Sequence, residues 1–393
     1  MQMAQSWQSF TKIMAVSLSM VTMVGARACL NDRDSIEYGY GDREVMLVAT
    51  GWFPQNPPEF YELRIKRLLG ALKTRKLTPS EYDDISVAYD RLGNDDEALS
   101  WIQKKGSLMN HHGFDSYRIE PADQGASEPW TAKVERANVY QGLTAEEYHQ
   151  YSLHANWGTF LIHRWIRTGM PLARIEDAKQ ASSQLGQAID INPDAHSGRE
   201  IVQLAIVDWL VDIKSGGKTE QPGFSDSKSK TLEGLAGLVE LGAAWSSYDV
   251  FALMTEYSSR GGQALAYFRA QELLASGVKP LTKVQLTMPD RELQERYRDD
   301  YKMLRRTAKS ALSERWEFMR LQFAKGLHPD TDPNFWLGYF APARPTIFIP
   351  WPDRLLAYGV VLVFDLFGCV WIPMVAFFAI RIVKGRRTRK SAA

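Results

Sequence analysis

The sequence predicts an all-α protein of packed helix pairs, tethered by one C-terminal membrane-spanning helix. Apolar residues recur at helical spacing through the central part of the chain, and no central segment alternates in hydrophobicity over enough length to argue for a sheet. Helix-boundary signals (a start at Asn56-Pro57-Pro58, and stops or turns at Gly93, Gly169, Asn192-Pro193, Gly277 and Gly326) divide that periodicity into segments of ordinary helix length. Residues 355–380 form an apolar run interrupted by a single charge, Asp365, and a cluster of basic residues follows at once.

In chain order the first element is an export signal. Lys12 precedes the apolar stretch Ile13–Val24, and Ala26-Arg27-Ala28 then supplies the small residues that a signal peptidase pocket admits. Residues 1–28 are expected to be removed by a cut between Ala28 and Cys29. The apolar stretch is too short to cross about 30 Å of hydrocarbon at about 1.5 Å per residue. Cys29 at the new N-terminus also raises lipid attachment, although Ala26 and Arg27 fit a lipobox poorly.

A first helix is expected after Asn56-Pro57-Pro58, with Pro fixing φ in the first turn, Asn able to cap it, and Phe60, Leu63, Leu68 and Leu72 marking one face. The stretch Thr78–Lys105 then places Ile85, Ala88, Tyr89, Gly93, Ala98 and Ile102 at intervals suited to two closely crossing antiparallel helices. Small residues stand at the contact points, Tyr fills the groove between turns, and Gly93 permits a tight turn. This spacing resembles a tetratricopeptide repeat (TPR), and the resemblance implies a TPR-like helical-repeat solenoid. Lys105 departs from the family pattern, which has a small residue there, and is expected to loosen packing onto the next repeat.

A second, more degenerate unit begins its helix at Trp157-Gly158 and Leu161, ends it at Gly169, and continues through Ala181, Leu185, Ala188 and Ile189 to Asn192-Pro193. A third is expected from Leu253, Tyr257, Gly261, Ala266 and Ala270, with Gly277 as its stop. Asp290–Lys325 reads as a long charged capping helix with one apolar face from Leu293 to Phe323, ended by Gly326 and Pro329. Gly106–Gly142 and Lys214–Lys230 read as irregular polar connections.

On this reading residues 29–328 form the ectodomain, and 329–354 form a Pro- and aromatic-rich juxtamembrane segment that contacts either the bilayer surface or the ectodomain. Of the 26 residues in 355–380, 15 are Leu, Ile, Val or Phe. They offer about −4 to −9 kcal/mol of insertion free energy, against about +3 for one central Asp. The basic tail 381–393 places the C-terminus in the cytoplasm, so the protein is expected to be single-pass, type I, with its ectodomain outside the cytoplasm. Asp365 is a candidate contact with another membrane helix, because acids in a bilayer are costly and find partners. The opening CLNDRD…GWFPQNPPEFYELR is also similar to bacterial envelope proteins that carry TPRs. That group has no established activity, so the likeness implies an envelope location and no catalytic residues.

Between positions 29 and 354 there are 39 basic residues against 45 acidic ones, a formal charge of about −6, so no bulk attraction for nucleic acid is expected. Cys29 and Cys369 are the only cysteines, which leaves no intrachain disulfide framework. Ser215-Gly216-Gly217-Lys218-Thr219 superficially resembles a phosphate-binding loop, but the first Gly of that motif would fall at Asp212 and no strand is expected before it. His111-His112 has no third metal ligand at a recognisable spacing, and His149, His154 and His163 lack the i, i+4 pairing of a helical metal site. The sequence holds no G-x-S-x-G, H-E-x-x-H or C-x-x-C motif. No catalytic residue, metal or cofactor is implied. The expected function is a membrane-anchored scaffold or adaptor that binds protein or peptide partners. Tyr82, Tyr89, Asn156 and Tyr257 are its candidate groove residues, because they fall on the presumed first helices. The alternative is an envelope enzyme or assembly subunit without a recognisable motif.

Overall fold

The computed structural model describes residues 42–112, 143–193, 195–224, 227–241, 244–343 and 345. Among them every regular element is helical. The α-helices are α1 (Asp42–Thr50), α2 (Pro58–Leu72), α3 (Pro79–Arg91), α4 (Asp95–His112), α5 (Ala145–Arg167), α6 (Ile175–Ile191), α7 (Arg199–Lys214), α8 (Lys228–Leu241), α9 (Tyr248–Tyr257), α10 (Arg260–Ala275) and α11 (Arg291–Ala324). Ala28, Cys29, the apolar run with Asp365 and the basic tail lie outside the described residues. Among the described residues, no helix is long and apolar enough to cross a membrane.

Local chemistry sets the boundaries. Thr78 accepts from the Glu81 N–H while the Glu81 carboxylate accepts from the Thr78 N–H, a reciprocal cap that starts α3. Thr144 and Glu147 repeat the device at α5, so that helix starts well before the expected Trp157-Gly158. Gly93, at φ +76°, supplies the left-handed turn between α3 and α4 that a side chain would strain. At α2 the cap residue is Pro57 rather than Asn56, whose Oδ1 instead accepts from Arg315. The buried face of α2 runs through Phe60, Tyr61, Arg64, Ile65 and Leu68, and Leu72 falls off it into solvent.

From α2 to α11 each helix packs against its successor, and α3 also meets α5. α5 crosses α6 closely: a Cβ added at Gly158 would stand 2.9 Å from Leu185 Cγ and 3.0 Å from the Ala181 carbonyl. α7 and α8, which carry no repeat signature in the sequence, occupy the place of a full pair between α6 and α9. The short α1 packs on α8, α10 and α11.

α11 closes the array. Its 34 residues span about 50 Å at 1.5 Å per residue. Near its start it packs on α10, where Tyr301 and Arg305 both bond Glu272. Between them the Leu304 carbonyl accepts from Trp52 Nε1 (3.0 Å), and in the second half of the helix Trp316 Nε1 donates to the Gln55 carbonyl (2.8 Å). Its last turns bring Met319 into one core with Phe60, Leu68, Leu77 and Ile85. Beyond it, Asp330 is held between Arg64 and Arg67 at 2.7 Å each, and Phe335 is fully buried in the same core. The chain therefore stays packed beyond residue 328, within a compact unit that runs to Ala343. Residues 329–343, at the start of the segment expected to lie beside a membrane, are part of the fold, because Asp330 and Phe335 complete the buried face of α2.

Candidate functional site

A cavity of about 350 Å³ lies among α5, α7 and α9. Ile162 and Ile166 line it from α5, and Gln203, Ile206, Val207 and Leu210 from α7, each set falling on one helix face at i, i+3 or i+4 spacing. Leu253 of α9 adds to the apolar lining, with Val278 and Leu281 from the chain that follows α10. That chain is pinned by Asp249, whose carboxylate accepts from the Leu281 and Thr282 N–H groups (2.9 Å each) and from Thr282 Oγ1 (2.6 Å). Ser247 caps α9 by accepting from the Val250 N–H. Apolar walls with a few placed polar groups, at this volume, suit a single large side chain or a small ligand.

Two cationic groups and an imidazole stand at this cavity: Arg167 and His163 on α5, and Lys279 after α10. His163 Nδ1 lies 2.9 Å from Asp90 Oδ1, and Arg167 donates to the same oxygen at 2.9 Å and to Asp95. Burial works to raise the Asp90 carboxyl, but His163 and Arg167 beside it prevail and hold it down to about 2. α3 thus fixes the orientation of two α5 side chains at the cavity edge. Lys279 is exposed.

A second polar group is sealed inside the α3–α4–α5 contact. Lys105 Nζ donates to Asp83 Oδ2 (2.6 Å) and to Ser152 Oγ (2.7 Å), and Asn156 Nδ2 donates to Asp83 Oδ1 (3.0 Å). All four side chains are buried. Burial pushes the Asp83 carboxyl up to about 6 against the pull of Lys105, and it pushes the Lys105 ammonium down. The expected loosening at Lys105 does not occur. The long side chain crosses the place where a small residue would sit and ties α4 to α3 and α5 through its head group.

Of the four sequence-predicted groove residues, none lines the cavity. Asn156 is fully buried and spent on Asp83, so it offers no surface to a partner, which corrects its expected role. Tyr82 and Tyr89 are half-buried against the core of α2 to α4, with Tyr82 tilted on Trp101 at 6.0 Å. Tyr257 is half-buried, edge-on to Phe224 at 5.3 Å. The three helix-borne histidines have separate neighbours: His149 is buried, which with Lys105 lowers its pKa to about 3, His154 meets Gln184, and His163 meets Asp90. His111 and His112 end α4, and their side chains lie outside the description. Among the described residues no group of three or more His, Cys, Asp or Glu is placed to hold a metal ion. The helix α7, not a strand, precedes Ser215–Thr219.

Sequence reasoning set His163 aside with the other helix-borne histidines and missed Arg167 and the α7 stripe. The signal was present in the spacing of Gln203, Ile206, Val207 and Leu210, but nothing local said that α5 and α9 would stand opposite. In comparison with known proteins, the chain matches no family, no curated protein and no solved structure.

Proposed function

We propose that the chain is a membrane-anchored, TPR-like scaffold or adaptor at the cell envelope that docks a segment of a partner protein by an apolar anchor side chain. The observation that carries this reading is the cavity among α5, α7 and α9, the first helices of successive pairs, with an aliphatic lining and an ionic edge. First helices of stacked pairs form the face on which such arrays hold extended ligands, and one well-filled apolar pocket can dominate an interface. The export signal, the apolar run 355–380 and the basic tail support a type I anchor that keeps this face outside the cytoplasm. The test fills the cavity. Ile206→Trp, at a half-buried lining position, should leave thermal unfolding near wild type and lose the partners that co-purify from detergent extract. Full retention of those partners by the folded variant overturns the reading.

One observation favours the alternative of an envelope enzyme. His163 is oriented by a buried carboxylate at the edge of an apolar cavity, which is how a general base is set up. His163→Gln separates the two readings. An adaptor keeps its partners, whereas an enzyme loses turnover in a screen of ester and amide substrates.

A further inference from the structure

Just before the described chain ends, the turn Trp336-Leu337-Gly338-Tyr339-Phe340 sorts its side chains into two sets. Trp336 stacks on Phe318 of α11 (centroids 6.0 Å apart, planes 11° apart), Tyr339 lies 5.0 Å from the same ring, and the Arg315 guanidinium covers Trp336 at 4.3 Å. Leu337 and Phe340 point the other way and are 79% and 89% exposed, the highest values among the exposed large apolar residues of the described chain. Gly338, at φ +84°, makes the turn that separates the sets, and backbone bonds from Leu337 N to the Asn334 carbonyl and from Tyr339 N to the Trp336 carbonyl hold it. A single exposed Leu is ordinary. Two such residues on a braced turn, backed by stacked aromatics, are a presented pair.

The position of this turn in the chain says what covers it. Phe340 and Leu355 are 15 residues apart, so even a fully extended connection holds the turn within about 50 Å of the apolar run, close to the thickness of one bilayer with its headgroups. We propose that Leu337 and Phe340 insert into the interfacial layer of the bilayer that residues 355–380 anchor, with the partly shielded Trp336 and Tyr339 at headgroup level, where amphipathic rings are favoured. This inference rests on the membrane anchor proposed above. It assigns residues 336–340 a lipid ligand, distinct from the protein ligand of the cavity.

The experiment uses the full chain with Cys29→Ser and Cys369→Ser, carrying Ala341→Cys labelled with a fluorophore. The protein is reconstituted in phosphatidylcholine–phosphatidylglycerol vesicles with or without acyl-chain bromination. Brominated lipid should quench the label, and Leu337→Asp with Phe340→Asp should abolish the quenching while the chain still resists alkaline carbonate extraction. A label left unquenched in a carbonate-resistant chain overturns the loop insertion and leaves the anchor standing. In that case crosslinking from position 341 to a second copy or to another protein would name the true occupant. Release of the chain by carbonate overturns the anchor, and the inference falls with it.

Discussion

Replacing Lys105 with methionine tests whether the sealed polar group is a structural bridge. The substitution keeps most of the buried stem and removes the ammonium that lies 2.6 Å from Asp83 and 2.7 Å from Ser152. Asp83 then keeps the Asn156 amide and the Ser152 hydroxyl, at 3.0 and 3.1 Å, inside a buried contact. Leaving one member of a buried ion pair uncompensated costs about 3–5 kcal/mol. Lys105→Ala, which leaves only a small residue there, adds roughly 2 kcal/mol for the lost methylenes. Lys105→Met with Asp83→Asn removes both charges and should return to within about 1–2 kcal/mol of wild type or exceed it. The pH dependence has a defined sign. Because the folded Asp83 carboxyl is raised from 3.8 to about 6, its contribution is fully present below its unfolded pKa and is lost as pH rises through about 6. That loss is about 3 kcal/mol at 1.36 kcal/mol per pKa unit. Without the ammonium the carboxyl is raised further, so the deficit of Lys105→Met should widen above pH 6 and narrow towards pH 5. Urea unfolding of the purified chain in mild detergent, followed by far-ultraviolet circular dichroism at pH 5 and pH 7.5, measures both effects. A variant as stable as wild type at pH 7.5, or one with a larger deficit at pH 5, would refute the reasoning.

Three further changes probe other parts of the molecule. Asp330→Ala removes the carboxylate that the buried Arg64 and the half-buried Arg67 share and should lower stability by about 3–5 kcal/mol, with faster amide exchange in α2 as its local sign; unchanged exchange there would count against the closure. Gly158→Ala drives a Cβ against Leu185 and the Ala181 carbonyl and should cost about 1–3 kcal/mol, read as a shift in thermal midpoint, while Gly186→Ala on α6, which has open space, should cost nothing. Asp365→Leu should insert with unchanged orientation, since the tail charges remain, yet lose co-purifying membrane partners that Asp365→Asn largely keeps, for an interhelical bond on the order of 1 kcal/mol; retention of every partner by Asp365→Leu removes the proposed contact.

What the sequence discloses follows from how local each signal is. α3 and α4 were legible because their turn glycine and crossing alanines all lie within 28 residues, from Thr78 to Lys105. α11 was legible because a 34-residue amphipathic stripe with Asp290 as its cap has few other readings. The start of α5 was missed because Thr144 and Glu147 precede the apolar pattern by a dozen positions, and the Trp157-Gly158 pair drew the boundary inward. Lys105 was visible as an anomaly, but one of its partners, Ser152, is 47 residues away, so its meaning was not. The same limit applies to the cavity. The Ile206–Leu210 stripe is local, whereas its opposition to Ile162 and Leu253 depends on how three pairs stack. Asn156 illustrates the risk in the other direction, since a polar residue on a first helix can as readily satisfy a buried carboxylate as face a ligand.

The return of the chain onto α2 also determines how the molecule carries load. If residues 355–380 anchor the chain as proposed, tension from them passes Tyr339 and Trp336, packed on Phe318 of α11, and reaches Phe335 and Asp330. Both are fastened to α2, near the start of the array, by a buried ring cluster and a forked ion pair. A linear stack pulled by its last repeat peels one pair at a time, because each repeat contacts only its neighbours. Here the pull is handed across to α2 before it reaches α10, and the Trp52, Trp316 and Arg320 bonds along α11 act in parallel with that junction. The residues that line the cavity stand outside this path, so on the proposed reading a pull on the anchor alone does not run through the pocket.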